Sequence, residues 1–422
     1  MATLQAVSHS ALRLPEGPFR NEPLIDFAKD EKSARAMRAA IEKVRAELGR
    51  EYDLIIGGKR VRTEEKIRSL NPAHPSQVAG IHQKAGREHA EPAMQAALAA
   101  FETWKNASVE ERASLLLRTG DIIRDRKFEF EAWLVFEVGK NWAEADGDVA
   151  ETIDFCEYYA REALRLAKVE VSVHLSGERG ALRYIPLGVG AVIPPWNFPC
   201  AIMAGMTLAS IVSGNTVILK PSSDSPTIAA KFFEILLEAG LPDGVVNFCP
   251  GSGASFGNAI VEHPKTRFIA FTGSKEVGLD IHQRAATPRP GQIWIKRTIL
   301  EMGGKDAIIV DADANLDASV EGVAASAFGF AGQKCSACSR AIVDERIYDL
   351  FLQRLKERVE KIQVGEPTEN KAMGPVVNAS AMKSIQEYIE IGRKEGRLIT
   401  GGGRATEAGE GYYLQPTVIA DI

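Results

Sequence analysis

From Tyr184 to Leu219 the chain reads YIPLGVGAVIPPWNFPCAIMAGMTLASIVSGNTVIL, without one charged side chain. Such a run has to be buried somewhere. A membrane-spanning helix takes roughly 20 consecutive apolar residues. Here Pro194, Pro195 and Pro199, with Asn197 among them, interrupt any helix in its middle. The pattern predicts strand, loop, buried helix and strand at the centre of a soluble fold, with no membrane span.

The flanking sequence continues the alternation. GVGAVIPPW, NTVILKP, GVVNFCPG and RFIAFTGS are short Val- and Ile-rich runs, separated by helical segments at 199–213, 225–240 and 253–262. Strands alternating with helices predict a parallel sheet covered on both faces. A second series follows: DAIIVD, a helix at 316–327, a cysteine loop, AIVD, and a helix at 345–361. Upstream, residues 33–49 have helical spacing, YDLIIGGKRVRT reads as a hairpin, two or three long helices are expected between about 86 and 165, and VEVSVHLSG at 169–177 alternates like an exposed strand.

The 422 residues suggest two or three domains. A net charge of −5 favours neither nucleic acid nor an anionic membrane surface. Five cysteines, an odd number, suit a reducing compartment better than a disulfide scaffold. The N-terminus has no apolar core of signal-peptide length. A cytoplasmic location is expected. Arg13 and Arg20, against only Glu16 and Glu22, leave a mitochondrial leader as the lesser alternative.

In an open parallel sheet, ligands bind beyond the C-terminal strand ends. Lys220 ends one strand. PGSGASFG supplies Gly251, Gly253 and Gly257 before a helix, and FTGS places Ser274 at a helix start. Glycines let backbone approach a phosphate, and helix N-termini favour anions. The third glycine comes one residue late for a dinucleotide fingerprint, so simple turns remain an alternative.

The loop FGFAGQKCSACSR holds Cys335 and Cys338. A zinc clip needs four ligands and finds two, with no histidine nearby, so no metal is expected. A redox pair or plain structural cysteines remain open. The small polar neighbours favour a nucleophile displayed at a cleft. Glu301 in LEMGG ends an apolar strand, where partial desolvation would suit a base; the alternative is a surface turn. Asn197 in PWNFP is either a turn residue or an amide donor to an oxyanion.

PWNFP, LKPS, PGSGASFG, FTGS, LEMGG and GQKCSA, in this order, resemble the aldehyde dehydrogenase superfamily from about Asp53 onward. IWIKRTILEMGGKDAIIVD, GQKCSACSR and FRNEPLIDF are similar to its 1-pyrroline-5-carboxylate dehydrogenase group. The resemblance implies oxidation of L-glutamate γ-semialdehyde to L-glutamate with NAD, in proline and arginine catabolism. Another semialdehyde dehydrogenase, such as one for succinic semialdehyde, or an inactive cofactor-binding protein, are the alternatives. It implies Cys335 as nucleophile, Asn197 as oxyanion donor and Glu301 as the base that activates water. For the cofactor it implies Lys220, Ser223, Gly253, Gly257, Ser274, Trp196 and Pro195. For the substrate it implies Ser336, Phe198, Glu137 and Lys140. Many NAD-preferring relatives have a glutamate where Ser223 stands, so NADP is expected to be tolerated.

The implied architecture is α/β. It comprises an N-terminal arm (1–32), a Rossmann-like NAD-binding domain (33–167 and 184–299), an oligomerisation hairpin (168–183) and a second α/β catalytic domain (300–422). The family's chains continue past the position of Ile422. There they carry an E-x-F-G-P glutamate for the nicotinamide ribose, a loop that anchors the substrate carboxylate, and a strand used in oligomerisation. A truncated member is therefore expected, with a homo-oligomer for the full-length protein.

Overall fold

The computed structural model describes residues 12–169 and 174–422. It begins with α1 (Glu31–Arg45), capped by Asp30, whose Ala34, Met37, Ile41 and Val44 bury one face at helical spacing. Then come β1 (Arg50–Tyr52) and the hairpin β2 (Leu54–Ile56) and β3 (Lys59–Val61). Gly57 and Gly58 turn that hairpin at φ 58° and 75°, as a two-residue turn with two positive φ values requires. β4 (Lys66–Asn71) and β5 (His74–Gln83) join β1 in a three-stranded sheet.

Four helices follow rather than two or three: α2 (Ala90–Trp104), α3 (Val109–Asp125), α4 (Lys127–Val138) and α5 (Trp142–Leu166). The breaks are local. Arg126 leaves helical geometry at φ −109°, ψ 21°, and Gly139 ends α4 in left-handed backbone at φ 72°. The apolar spacing runs on across both breaks, which hides them in the sequence. β6 (His174–Leu175) and β7 (Glu178–Arg179) form a short hairpin inside the expected oligomerisation element. Residues 170–173 of the expected exposed strand, and 1–11 of the expected arm, lie outside the described residues.

The charge-free run becomes β8 (Val189–Ile193), α6 (Ala201–Val212) and β9 (Thr216–Leu219). After it come α7 (Pro226–Glu238), β10 (Val246–Phe248), α8 (Asn258–Glu262), β11 (Thr266–Gly273), α9 (Lys275–Ala286) and β12 (Arg297–Met302). The seven-stranded sheet has the order β12-β11-β8-β9-β10-β2-β3, parallel from β12 to β10. Alternate residues feed two cores: Val192, Val217 and Leu219 join one cluster, while Val189, Ala191, Ile193 and Ile218 join the other. That alternation is why the run is apolar on both faces. Among the described residues no helix is long and apolar enough to cross a membrane.

The second unit contains β13 (Asp306–Val310), α10 (Leu316–Phe328), β14 (Cys338–Val343), α11 (Tyr348–Val359), α12 (Ala379–Glu395), β15 (Arg397–Thr400) and β16 (Val418–Ala420). β13 and β14 are parallel and share a core with α10 and α11 around Val310, Val323, Phe351 and Leu355. β12 pairs with β11 as far as Met302, so the large sheet runs past the expected domain boundary at 299–300.

Candidate active site

Chain order reverses between β8 and β11: β8 leads to β9 on one side, and the chain later returns to place β11 on the other. A crevice opens beyond the strand ends at such a switch point. Here it is a groove of about 1120 Å³, lined from β8 by Pro195, Trp196 and Asn197 and from β9 by Lys220 and Ser223. Gly253, Gly257 and Ser274 line it from the following loops, and Gly332 to Cys335 close it from the second unit. The sequence thus brings the expected nucleophile, oxyanion donor and cofactor residues to one groove.

Local packing explains the positions. Lys220 is buried and donates to the carbonyls of Pro221 (3.1 Å) and Gly251 (3.4 Å); burial lowers its pKa to about 8. Ser274 caps α9 by accepting from Val277 N at 3.3 Å. A Cβ on Gly251 would lie 2.7 Å from the Ala85 carbonyl, so the loop needs glycine there. Asp224, beside Ser223, accepts from Asn378 Nδ2 at 3.1 Å. An ammonium, a helix N-terminus and an apolar slot of Val261, Val277 and Ile281 fit a dinucleotide with its pyrophosphate and ring.

The cysteine loop is held from three directions. Asn197 accepts from Phe198 N at 3.1 Å and donates Nδ2 to the Gln333 carbonyl at 3.1 Å. Gln333 Oε1 accepts from Val377 N at 2.9 Å. A Cβ on Gly304 would lie 3.0 Å from the Cys335 carbonyl, so the second glycine of LEMGG allows that close approach. Cys335 is half-buried in the groove. Cys338 is different: it starts β14, is buried, and directs its sulfur to the Arg340 carbonyl.

Behind the same loop lies a second cavity of about 820 Å³, lined by Lys140, Glu144, Phe198, Phe330 and Lys334, with Glu151 at its rim. Consecutive residues Asn197 and Phe198 therefore line the two cavities on opposite sides of the loop. Lys140 is buried, pairs with Asp148 at 2.8 Å and lies 4.1 Å from the Phe198 ring centre and 4.9 Å from that of Phe330. Asp148 also accepts from Ala201 N at 2.7 Å, fixing the start of α6 behind the PWNFP loop.

Three expectations differ. Glu137 lines neither cavity. Its buried carboxylate accepts from Ser69 Oγ (2.7 Å), Thr227 N (2.6 Å) and Ile228 N (2.7 Å), serving the N-terminus of α7, where a negative charge suits the helix dipole. Burial nevertheless raises its pKa. Glu301 is exposed rather than partly desolvated. It sits on the open side of edge strand β12, while its neighbours Leu300 and Met302 pack inward. Ser336 is exposed and lines neither cavity. Conversely, Gln333 and Glu144 went unassigned, although GQKC flags the first and the capping pattern Asn141-x-x-Glu144 the second.

The sequence pattern of the aldehyde dehydrogenase family matches residues 60–422. This chain belongs to the aldehyde dehydrogenase family. Among curated relatives of this aldehyde dehydrogenase, the 1-pyrroline-5-carboxylate dehydrogenases of Geobacillus thermodenitrificans and Geobacillus kaustophilus are 56% and 55% identical over 406 residues. Each match covers 96% of this chain and 78% of the relative. A crystal structure of 1-pyrroline-5-carboxylate dehydrogenase from Thermus with bound NAD superimposes with a TM-score of 0.93 at 52% identity, covering 96% of this chain and 78% of that one. Proline utilization A from Bdellovibrio bacteriovorus gives the same TM-score at 45% identity, covering 97% of this chain and 42% of that one.

Proposed function

We propose that this aldehyde dehydrogenase oxidises L-glutamate γ-semialdehyde, the open form of 1-pyrroline-5-carboxylate, to L-glutamate with NAD, through a covalent intermediate on Cys335. The observation that carries the reaction type is that Cys335 and Asn197 line one groove with Lys220, Gly253 and Ser274. The relatives named for 1-pyrroline-5-carboxylate support the substrate.

The Cys335 thiolate attacks the aldehyde carbon and the carbonyl pair moves to oxygen. Asn197 Nδ2, now on the Gln333 carbonyl, turns to that oxyanion, joined by the Cys335 N–H. NAD, held by Lys220, Ser274 and the Gly253–Gly257 loop with Pro195, Trp196 and Ser223 alongside, supplies the hydride acceptor when bound. The oxyanion pair re-forms the carbonyl as the C–H bond breaks and the carbon gives up hydride, which leaves a thioester on Cys335. Glu301, exposed on β12, takes a proton from water once its side chain turns into the groove, and that water adds to the thioester carbon. The C–S bond breaks and the thiolate leaves. Phe198 walls the aliphatic stem, with Lys140 behind it. Glu151, exposed at the rim of the second cavity, gives it an acidic group suited to the α-ammonium.

NADP is tolerated, because Ser223 carries no charge and the Asp224 carboxylate is engaged by Asn378. The protein works in the cytoplasm as a homo-oligomer; exposed Tyr184 and Ile185, at 71% and 79%, follow the β6–β7 hairpin and suit burial by a second copy. The test is to mix Glu301→Gln with NAD and glutamate semialdehyde and weigh the Cys335 peptide. A glutamyl adduct is expected there. No adduct on Cys335, or an adduct on Cys338, contradicts the proposal.

A further inference from the structure

Just ahead of Cys335, two consecutive residues that carry a Cβ hold left-handed backbone: Phe330 at φ 51°, ψ 38° and Ala331 at φ 53°, ψ 29°. Among the described residues the other non-glycine positions with positive φ are Asn370 and Asp421, residue types that adopt it readily. A Phe–Ala pair does not. Such backbone persists only where its surroundings over-determine it.

The surroundings are specific. The Phe330 ring is buried, with its centre 6.4 Å from the Trp196 ring and 4.9 Å from Lys140 Nζ. The Phe330 carbonyl accepts from Gln333 N at 3.1 Å and Gln333 Nε2 at 3.2 Å. The Phe330 N–H donates to Glu144 Oε1. The other Glu144 oxygen accepts from Asn141 N at 3.1 Å, at the start of α5. One carboxylate therefore ties the first turn of α5 to the strained turn. That turn sets the direction of Gln333, whose carbonyl meets Asn197, and so of Cys335. Burial raises the pKa of this carboxylate, while the Phe330 and Asn141 N–H groups and, less strongly, Lys334 and Lys140 favour its ionised form.

We propose that Glu144 is a positioning residue for the nucleophile: its carboxylate clamps the left-handed Phe330–Ala331 turn that presents Cys335 beside Asn197. Glu144 lines the cavity behind the loop, whereas Cys335 lines the groove in front, so the effect passes through the backbone. The inference rests on Cys335 being the nucleophile.

The test compares the pre-steady-state burst of NADH in wild type, Glu144→Ala, Glu144→Gln, Glu144→Ala with Ala331→Gly, and Cys335→Ala, at equal folded protein. Glu144→Ala should slow the burst on the order of tenfold or more, in line with the rate cost of a small misplacement, with KM changed far less. Glu144→Gln keeps an acceptor for the Phe330 N–H and should recover most of the rate. Ala331→Gly removes the Cβ that opposes left-handed backbone and should restore part of the rate in the Glu144→Ala background. Should Glu144→Ala not fold alone, the double variant and Glu144→Gln carry the same comparison. A wild-type burst in Glu144→Ala overturns the clamp. So does Glu144→Gln as slow as Glu144→Ala with no rescue by Ala331→Gly, because the carboxylate then acts by its charge. A burst that survives Cys335→Ala instead overturns the assignment of the nucleophile.

Discussion

Asn197 donates its side-chain amide to the Gln333 carbonyl across 3.1 Å, which joins the loop after β8 to the cysteine loop two residues before Cys335. One amide thus ties two elements of the groove together and is proposed to meet the oxyanion in turn. Asn197→Ala removes both functions. It should lower kcat by about a hundred- to a thousandfold, the usual loss for an oxyanion donor, while NAD affinity changes little. Isothermal titration with NAD beside steady-state kinetics checks this. A kcat within a few-fold of wild type would place the oxyanion elsewhere.

The two loop cysteines should separate cleanly. Cys335 is half-buried in the groove, whereas Cys338 is buried at the start of β14. Cys335→Ala should abolish turnover at unchanged melting temperature. Cys338→Ala should keep most turnover and melt lower, since it removes a packed side chain. Alkylation of folded protein, mapped by mass spectrometry, should label Cys335 first, and NAD should protect it.

Glu137 should report on stability rather than on substrate. Its carboxylate accepts from Ser69, Thr227 and Ile228, all in the interior. Glu137→Ala leaves those donors unpaired at a cost of about 1–3 kcal/mol for such a buried group. Urea unfolding should show the loss, with KM for the aldehyde unchanged in the folded fraction. Wild-type stability with a raised KM would return Glu137 to the substrate pocket.

Lys220 sets a pH dependence. Burial lowers its pKa from the ordinary 10.5 to about 8. The folded state releases this proton more readily than the unfolded chain. The buried charge therefore costs stability below pH 8, and that cost fades as pH rises from about 8 to 10.5. Cofactor binding runs the other way, because the ammonium attracts the pyrophosphate. NAD should bind more weakly as pH rises through about 8, and Lys220→Met should flatten that slope while binding NAD less well below it. Parallel slopes in both proteins would place the titrating group elsewhere.

What could be read from the sequence followed chain distance. The order of strands and helices around Tyr184–Leu219 was legible, because strands buried on both faces leave an unbroken apolar pattern. So was the convergence of Asn197, Lys220, Gly253, Ser274 and Cys335, because the strand ends of a parallel sheet gather their loops. The exposure of Glu301 was not legible: whether β12 lies at an edge depends on what fails to pair with it, which no local pattern states. Nor was the role of Glu137, whose partners Ser69 and Thr227 lie 68 and 90 residues away. The break between α3 and α4 was lost because apolar spacing continues through Arg126. The left-handed turn at Phe330 and Ala331 runs against residue type altogether, since neither residue favours it.

The central claim is an aldehyde oxidation matched to an α-amino acid aldehyde and carried by Cys335. It is tested most directly by kcat/KM for NADH formation by this chain, with glutamate γ-semialdehyde and succinic semialdehyde measured side by side and Cys335→Ala as control. A site whose polar groups pair with the amino acid head loses those pairings with the analogue. Glutamate semialdehyde should therefore win by tenfold or more, a margin of about 1.4 kcal/mol, and Cys335→Ala should give no NADH with either. A higher kcat/KM for succinic semialdehyde, or NADH formed at the wild-type rate by Cys335→Ala, would contradict the account.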